Sequence, residues 1–84
     1  PQRSPFTVNS ASVLVSSVTP ADEGRALLVR LYNPADSPAG ATIRPADPGA
    51  RLSFVDSDGR VLESTSGSVT IRARGSRLVR IDIK

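Results

Sequence analysis

Cysteine and histidine are both missing from these 84 residues, and aromatic side chains are scarce, with two Phe, one Tyr and no Trp. Without cysteine there is no disulfide framework and no thiolate metal site. The same absence leaves the redox compartment open, because cytoplasmic and secreted proteins alike can do without disulfides. Without histidine the chain lacks the usual general base, the commonest transition-metal ligand and the side chain that titrates near neutrality. A Ser–His–Asp triad in its usual form is therefore excluded. No apolar run approaches the roughly 20 residues of a membrane helix. No stretch has the charged start, apolar middle and small-residue cleavage site of a signal peptide. The chain opens on Pro1 rather than Met and is expected to be a segment of something longer, which leaves a leader further upstream open.

What is present amounts to one domain of 8.8 kDa. At this size folding removes roughly 60% of the unfolded surface from water, and a stability on the order of 5 kcal/mol is expected. The net charge is +3, from ten Arg and one Lys against eight acids. Single-stranded nucleic-acid binders combine clustered cations with stacking aromatics. The densest basic stretch, Arg72, Arg74, Arg77 and Arg80, has no aromatic among its members, so no nucleic acid is expected as a partner, and no membrane. Asp56-Ser57-Asp58-Gly59 resembles the start of a calcium loop, but Arg60-Val61-Leu62-Glu63 lacks the ligands and the length such a loop needs. It reads instead as a hairpin turn. Asp22-Glu23 is a solvated acidic pair on a loop. No catalytic, cofactor-binding or metal-ligating residue is assigned, and no cofactor is expected in this domain.

Short apolar runs alternate with turn punctuation along the chain. Residues 1–11 are polar and Pro-containing and read as a lead-in segment, while 12–84 reads as a single sandwich domain. Strands are expected over 12–18, 26–32, 41–44, 51–55, 60–63, 68–73 and 77–83, separated by 19–24, 33–40, 45–49, the Asp-Gly turn, 64–67 and Gly75. The loop at 19–24 rests on Pro20, which cannot donate to a ladder. This pattern specifies an all-β fold, an immunoglobulin-like β-sandwich of about seven antiparallel strands.

Alternation assigns the faces. Leu27, Val29 and Leu31 point inward, as do Leu52 and Phe54, Val69, Ile71 and Ala73, and Val79, Ile81 and Ile83. Their opposite faces are not uniformly polar. Leu28, Tyr32 and Leu78 stand among Arg30, Arg72 and Arg80. These six residues form a candidate domain-docking face, with Leu and Tyr as anchors and Arg pairing with carboxylates at the rim.

The segment Leu28-Val29-Arg30-Leu31-Tyr32-Asn33-Pro34-Ala35-Asp36-Ser37-Pro38-Ala39 resembles one in the C-terminal β-domains of α-mannosidases of glycoside hydrolase family 38. There an apolar strand ends in Arg-Leu-Tyr/Phe-Asn-Pro before a polar turn. The close of the chain, Val69 to Ala73 and Leu78 to Ile83, is similar to the terminal hairpin of such domains. The resemblance spans about residues 26–84 and implies a non-catalytic accessory domain of a multidomain glycosidase, packing against and supporting the catalytic part. The partners it implies are other domains of the same parent chain. The family's nucleophile and zinc ligands lie in a separate barrel, and a chain without His has no counterpart of that metal site. The alternative is an immunoglobulin-like protein or carbohydrate interaction module of a secreted or surface protein. Against sugar binding, only Tyr32 is available to stack on a sugar face. Weak self-association through a sheet face or edge is compatible with either reading, and the cellular compartment stays open.

Overall fold

The computed structural model describes residues 6–10, 12–47, 49–56, 58 and 60–82. Eight strands run in the order β1 (Phe6–Asn9), β2 (Leu14–Ala21), β3 (Ala26–Tyr32), β4 (Ala39–Pro45), β5 (Arg51–Val55), β6 (Val61–Thr65), β7 (Ser68–Ile71) and β8 (Ser76–Asp82). They form two antiparallel sheets, β1-β4-β7 and β2-β3-β8-β5-β6. The two sheets make a β-sandwich.

The core follows from the alternation. Val29 and Leu31 of β3, Val79 and Ile81 of β8, and Leu52 and Phe54 of β5 project from the larger sheet. Phe6, Ala41, Ile43, Val69 and Ile71 meet them from the smaller one, with Val13 at the corner between β1 and β2. Each large side chain so buried is worth about 1.5–3 kcal/mol before entropy is charged.

Several sequence expectations are corrected here. Residues 6–9 are not outside the sandwich but form β1, paired to β4, with Phe6 in the core. Residues 1–5 and 11 lie outside the described residues. The chain turns from β1 toward β2 on Ser10, whose Oγ accepts the N–H groups of Ser12 and Val13 and donates to Gly40 O at 3.1 Å. Strand β2 runs through Pro20, which sits opposite Leu27. That is tolerated because β2 is an edge strand, where the missing N–H can face away from the ladder. Strand β4 starts at Ala39, inside the segment read as a loop, and Gly40 pairs with Thr70. Strand β7 ends at Ile71, leaving Ala73 in a turn. Ile83 lies outside the described residues. Strands β5 and β6 pair as a hairpin, as expected, and Asp56 Oδ1 accepts the N–H groups of Asp58 and Arg60, each at 2.9 Å, while Ser57 and Gly59 of the expected turn lie outside the described residues.

The two sheets are tied together at the end of β3. Asn33, fully buried, continues the β3–β8 ladder by donating its backbone N–H to Gly75 O at 2.9 Å. Its side-chain Nδ2 donates to Ser37 O at 2.9 Å, Ile71 O at 3.0 Å and Arg72 O at 3.1 Å. Its Oδ1 accepts the Ala35 N–H at 3.0 Å. One amide thus joins the larger sheet, the 34–38 loop and the end of β7 in the smaller sheet. Arg74 adds a backbone N–H to Ala35 O at 3.1 Å and an ion pair to Asp36 at 2.6 Å. Both partners of that ion pair are mostly exposed, so Asp36→Asn is expected to cost less than about 1 kcal/mol in urea unfolding.

Candidate functional site

Register decides which of the docking residues meet. Leu28 lies opposite Arg80, and Arg30 opposite Leu78, on adjacent strands. Cross-strand partners share a face, so Leu28, Arg30, Tyr32, Leu78 and Arg80 stand together on the outer face of the five-stranded sheet. Arg72 does not join them. It follows β7, in the other sheet, and is exposed elsewhere.

The register also adds residues that the sequence reading left out. Leu14 of β2 is opposite Tyr32. Val55 of β5 is opposite both Leu78 and Val61 of β6. Leu14 and Val61 are among the most exposed large apolar side chains of the described residues, at 56% and 58%. Val55 is buried although it belongs to the outer face. Leu28, Tyr32 and Leu78 are each half-buried. An apolar band therefore crosses the sheet obliquely, from Leu14 and Tyr32 on one side to Leu78, Val55 and Val61 on the other.

The two arginines of this face differ in their electrostatics. Arg80 is already neutralised. Its Nε donates to Asp82 Oδ1 at 2.8 Å, and its Nη2 lies 3.6 Å from Asp22 Oδ2. Asp22 opens the tight turn Asp22–Gly24, whose three residues all have positive φ. Arg80 thus holds that turn against the sheet, a structural role. Arg30 is exposed and has no carboxylate within 4.0 Å among the described residues. Its neighbours along and across the strands are Leu28, Tyr32, Leu78 and Ser17. A shallow depression of about 210 Å³ opens beside it, lined also by Val55, Ser76, Arg77 and Leu78.

Chemically, this surface can bury hydrocarbon and take one carboxylate. Among the described residues no group of three or more acids offers a metal site. The apolar band was only partly visible in the sequence, because the β2 and β6 contributions depend on pairing register. No protein-family model, curated protein or solved structure matches the chain significantly.

Proposed function

We propose that this chain is a non-catalytic β-sandwich module that docks through the outer face of its five-stranded sheet onto another domain of its parent polypeptide. The observation that carries this reading is Arg30, a cation without a carboxylate partner among the described residues, set among Leu28, Tyr32 and Leu78. A matching partner surface is apolar around one Asp or Glu. Aromatic and apolar anchors together with Arg are enriched at interfaces, and charge pairs are commonest toward the rim. The parent is proposed to be an α-mannosidase-like glycosidase, on the resemblance of residues 28–39 alone. In that setting the module supports the catalytic part, carries no step of the reaction and holds no cofactor.

A second reading, an interaction module for a separate protein, draws on the edge of the larger sheet. Strand β2 is exposed from Leu14 to Pro20 and carries no charge along its length. Natural edges are commonly guarded by charge, proline or bulges; β2 has Pro20 and a bulge between Val15 and Ser17 but no charge, so its open stretch for strand addition is short.

Hydroxyl-radical footprinting separates the two readings. The 84-residue chain is labelled alone and within the complete product of its reading frame. Oxidation of Leu14, Tyr32 and Leu78 is expected to fall several-fold in the complete product. Unchanged labelling of these side chains overturns docking on this face. A reading frame with no further domain overturns the parent-domain reading and leaves the separate-partner one.

A further inference from the structure

A second groove, which shares Ser76 and Arg77 with the depression beside Arg30, has a charge arrangement of its own. A groove of about 500 Å³ opens between β6 and β7, lined by Pro38, Leu62, Thr70, Arg72, Ser76 and Arg77. Both arginines are anchored at the base of their side chains. The Arg72 carbonyl accepts the Gly75 N–H at 3.0 Å and the Asn33 amide at 3.1 Å. Its side chain folds over Gly75, so closely that a Cβ there would stand 2.6 Å from Arg72 Cγ. Arg77 sits in the β8 ladder opposite Leu31, with its guanidinium 4.0 Å from the centre of the Phe54 ring.

Neither arginine has a carboxylate within 4.0 Å among the described residues. Glu63 is opposite Phe54 in register, but it too pairs with neither. Two like charges lining one groove repel each other, and an anion between them relieves that repulsion. Guanidinium groups are suited to carboxylates because their planar donors bind both oxygens together.

The groove also has an apolar rim placed by a backbone irregularity. Glu63 pairs with Phe54 and Val61 with Val55, which leaves Leu62 as the extra residue of a β-bulge. Bulges re-aim side chains, and this one sets Leu62 on the groove, where it stays 59% exposed. The groove is flanked by two strands that end their sheets, β6 and β7. Such edges accept an extended chain. The larger open groove, near 560 Å³, suits an anion less well, because Asp82 lines it beside Arg44 and Arg51.

We infer that the β6–β7 groove binds an extended acidic peptide, its carboxylate held by Arg72 and Arg77 and a neighbouring apolar side chain resting on Leu62 and Pro38. The test is a ¹H–¹⁵N titration of the 84-residue chain with an acetylated, amidated Leu-Glu-Leu-Glu peptide. Its Leu-Gln-Leu-Gln counterpart and inorganic phosphate are run in parallel. Resonance changes are expected at Leu62, Thr70, Arg72, Ser76 and Arg77, with the Gln peptide at least about tenfold weaker. Arg72→Gln is expected to weaken the Glu peptide by about tenfold. Leu62→Ser is expected to weaken it several-fold. Both positions are exposed, so circular dichroism should show these variants folded, whereas Arg77→Gln disturbs the cover of Phe54. Equal binding of the two peptides overturns the proposal. So do changes centred on Arg44 and Arg51, or unaltered binding by both exposed variants. Phosphate binding as tightly as the Glu peptide also overturns it, by reducing the groove to a simple anion site.

Discussion

Asn33→Ala is expected to lower the unfolding free energy by about 3–5 kcal/mol, a large share of the total for a domain of this size. The reason is where the amide stands. The two hydrogens of one fully buried amide serve three carbonyl oxygens, of Ser37, Ile71 and Arg72, so that one is shared, while its oxygen accepts the Ala35 N–H. Alanine removes the donor and leaves the Ile71 carbonyl, in buried surroundings, without it. An unmade buried hydrogen bond costs about 1–3 kcal/mol, more than an average one contributes when made. The loss also removes the tie from β3 to Ser37 and to the end of β7, leaving the 34–38 loop held by Arg74 through Ala35 and Asp36, which loosens the link between the sheets. Urea unfolding should show a lower midpoint with the slope unchanged. A midpoint within experimental error of the parent would show that the amide does not join the sheets.

Asn33→Asp sharpens the same test. The aspartate keeps the shape but directs a carboxylate at the three carbonyl oxygens that the amide now serves. Burial among acceptors favours the neutral acid, so the folded-state pKa of the new side chain rises above its unfolded value of about 3.9. Between those two pKa values the native state binds more protons than the unfolded state. Stability therefore falls as pH rises through this window. Relative to the parent protein, the variant should be least stable at neutral pH and recover part of the deficit toward pH of about 4. A deficit independent of pH would place position 33 in water.

The contrast between what alternation reveals and what it hides is plain around this residue. Val29 and Leu31, Val79 and Ile81, and Leu52 and Phe54 are legible because a strand's period is local and each pair lies two residues apart. Asn33 reads only as a turn residue before Pro34. Its partners Ile71 and Arg72 are 38 and 39 residues away, and no local pattern announces them. Strand β1 is hidden for a related reason. Phe6 and Val8 are two apolar residues in a polar stretch, too few to show a period. Pro20 concealed the end of β2, since only the pairing shows that it stands on an edge.

The candidate face divides along the same line. Leu28, Arg30 and Tyr32 belong together by alternation within β3, and Leu78 with Arg80 within β8. Alternation gives a side of a strand, not the sheet that the strand joins, so nothing local separates Arg72 from residues of the other sheet. The exposed Leu62 depends on a bulge in β6, and nothing in Val61-Leu62-Glu63 marks one.

Gly67→Ala carries the second large effect, expected at about 2–4 kcal/mol. Gly67 lies where the chain passes from β6 in one sheet to β7 in the other. Its φ of +119° is a conformation that side chains with a Cβ rarely adopt. Holding alanine there costs roughly 1–3 kcal/mol. The new Cβ would also stand 2.5 Å from the Ile43 carbonyl oxygen, a backbone atom in the middle of the smaller sheet. Relief requires moving either Gly67 or β4. Either movement strains the hydrogen bond from the Ile43 N–H to Gly67 O, at 2.9 Å, and that from the Gly67 N–H to Thr65 Oγ1, at 3.1 Å. Gly24 provides the control, because it too has positive φ, at +88°, but no atom within 4 Å of a Cβ. Gly24→Ala should pay the conformational part alone, about 1 kcal/mol. The measurement is thermal or urea unfolding of both variants beside the parent. A deficit at Gly67 larger than at Gly24 supports the close approach of β4 to the segment leading into β7, whereas equal deficits would mean that only backbone conformation, and no clash with β4, is at stake there.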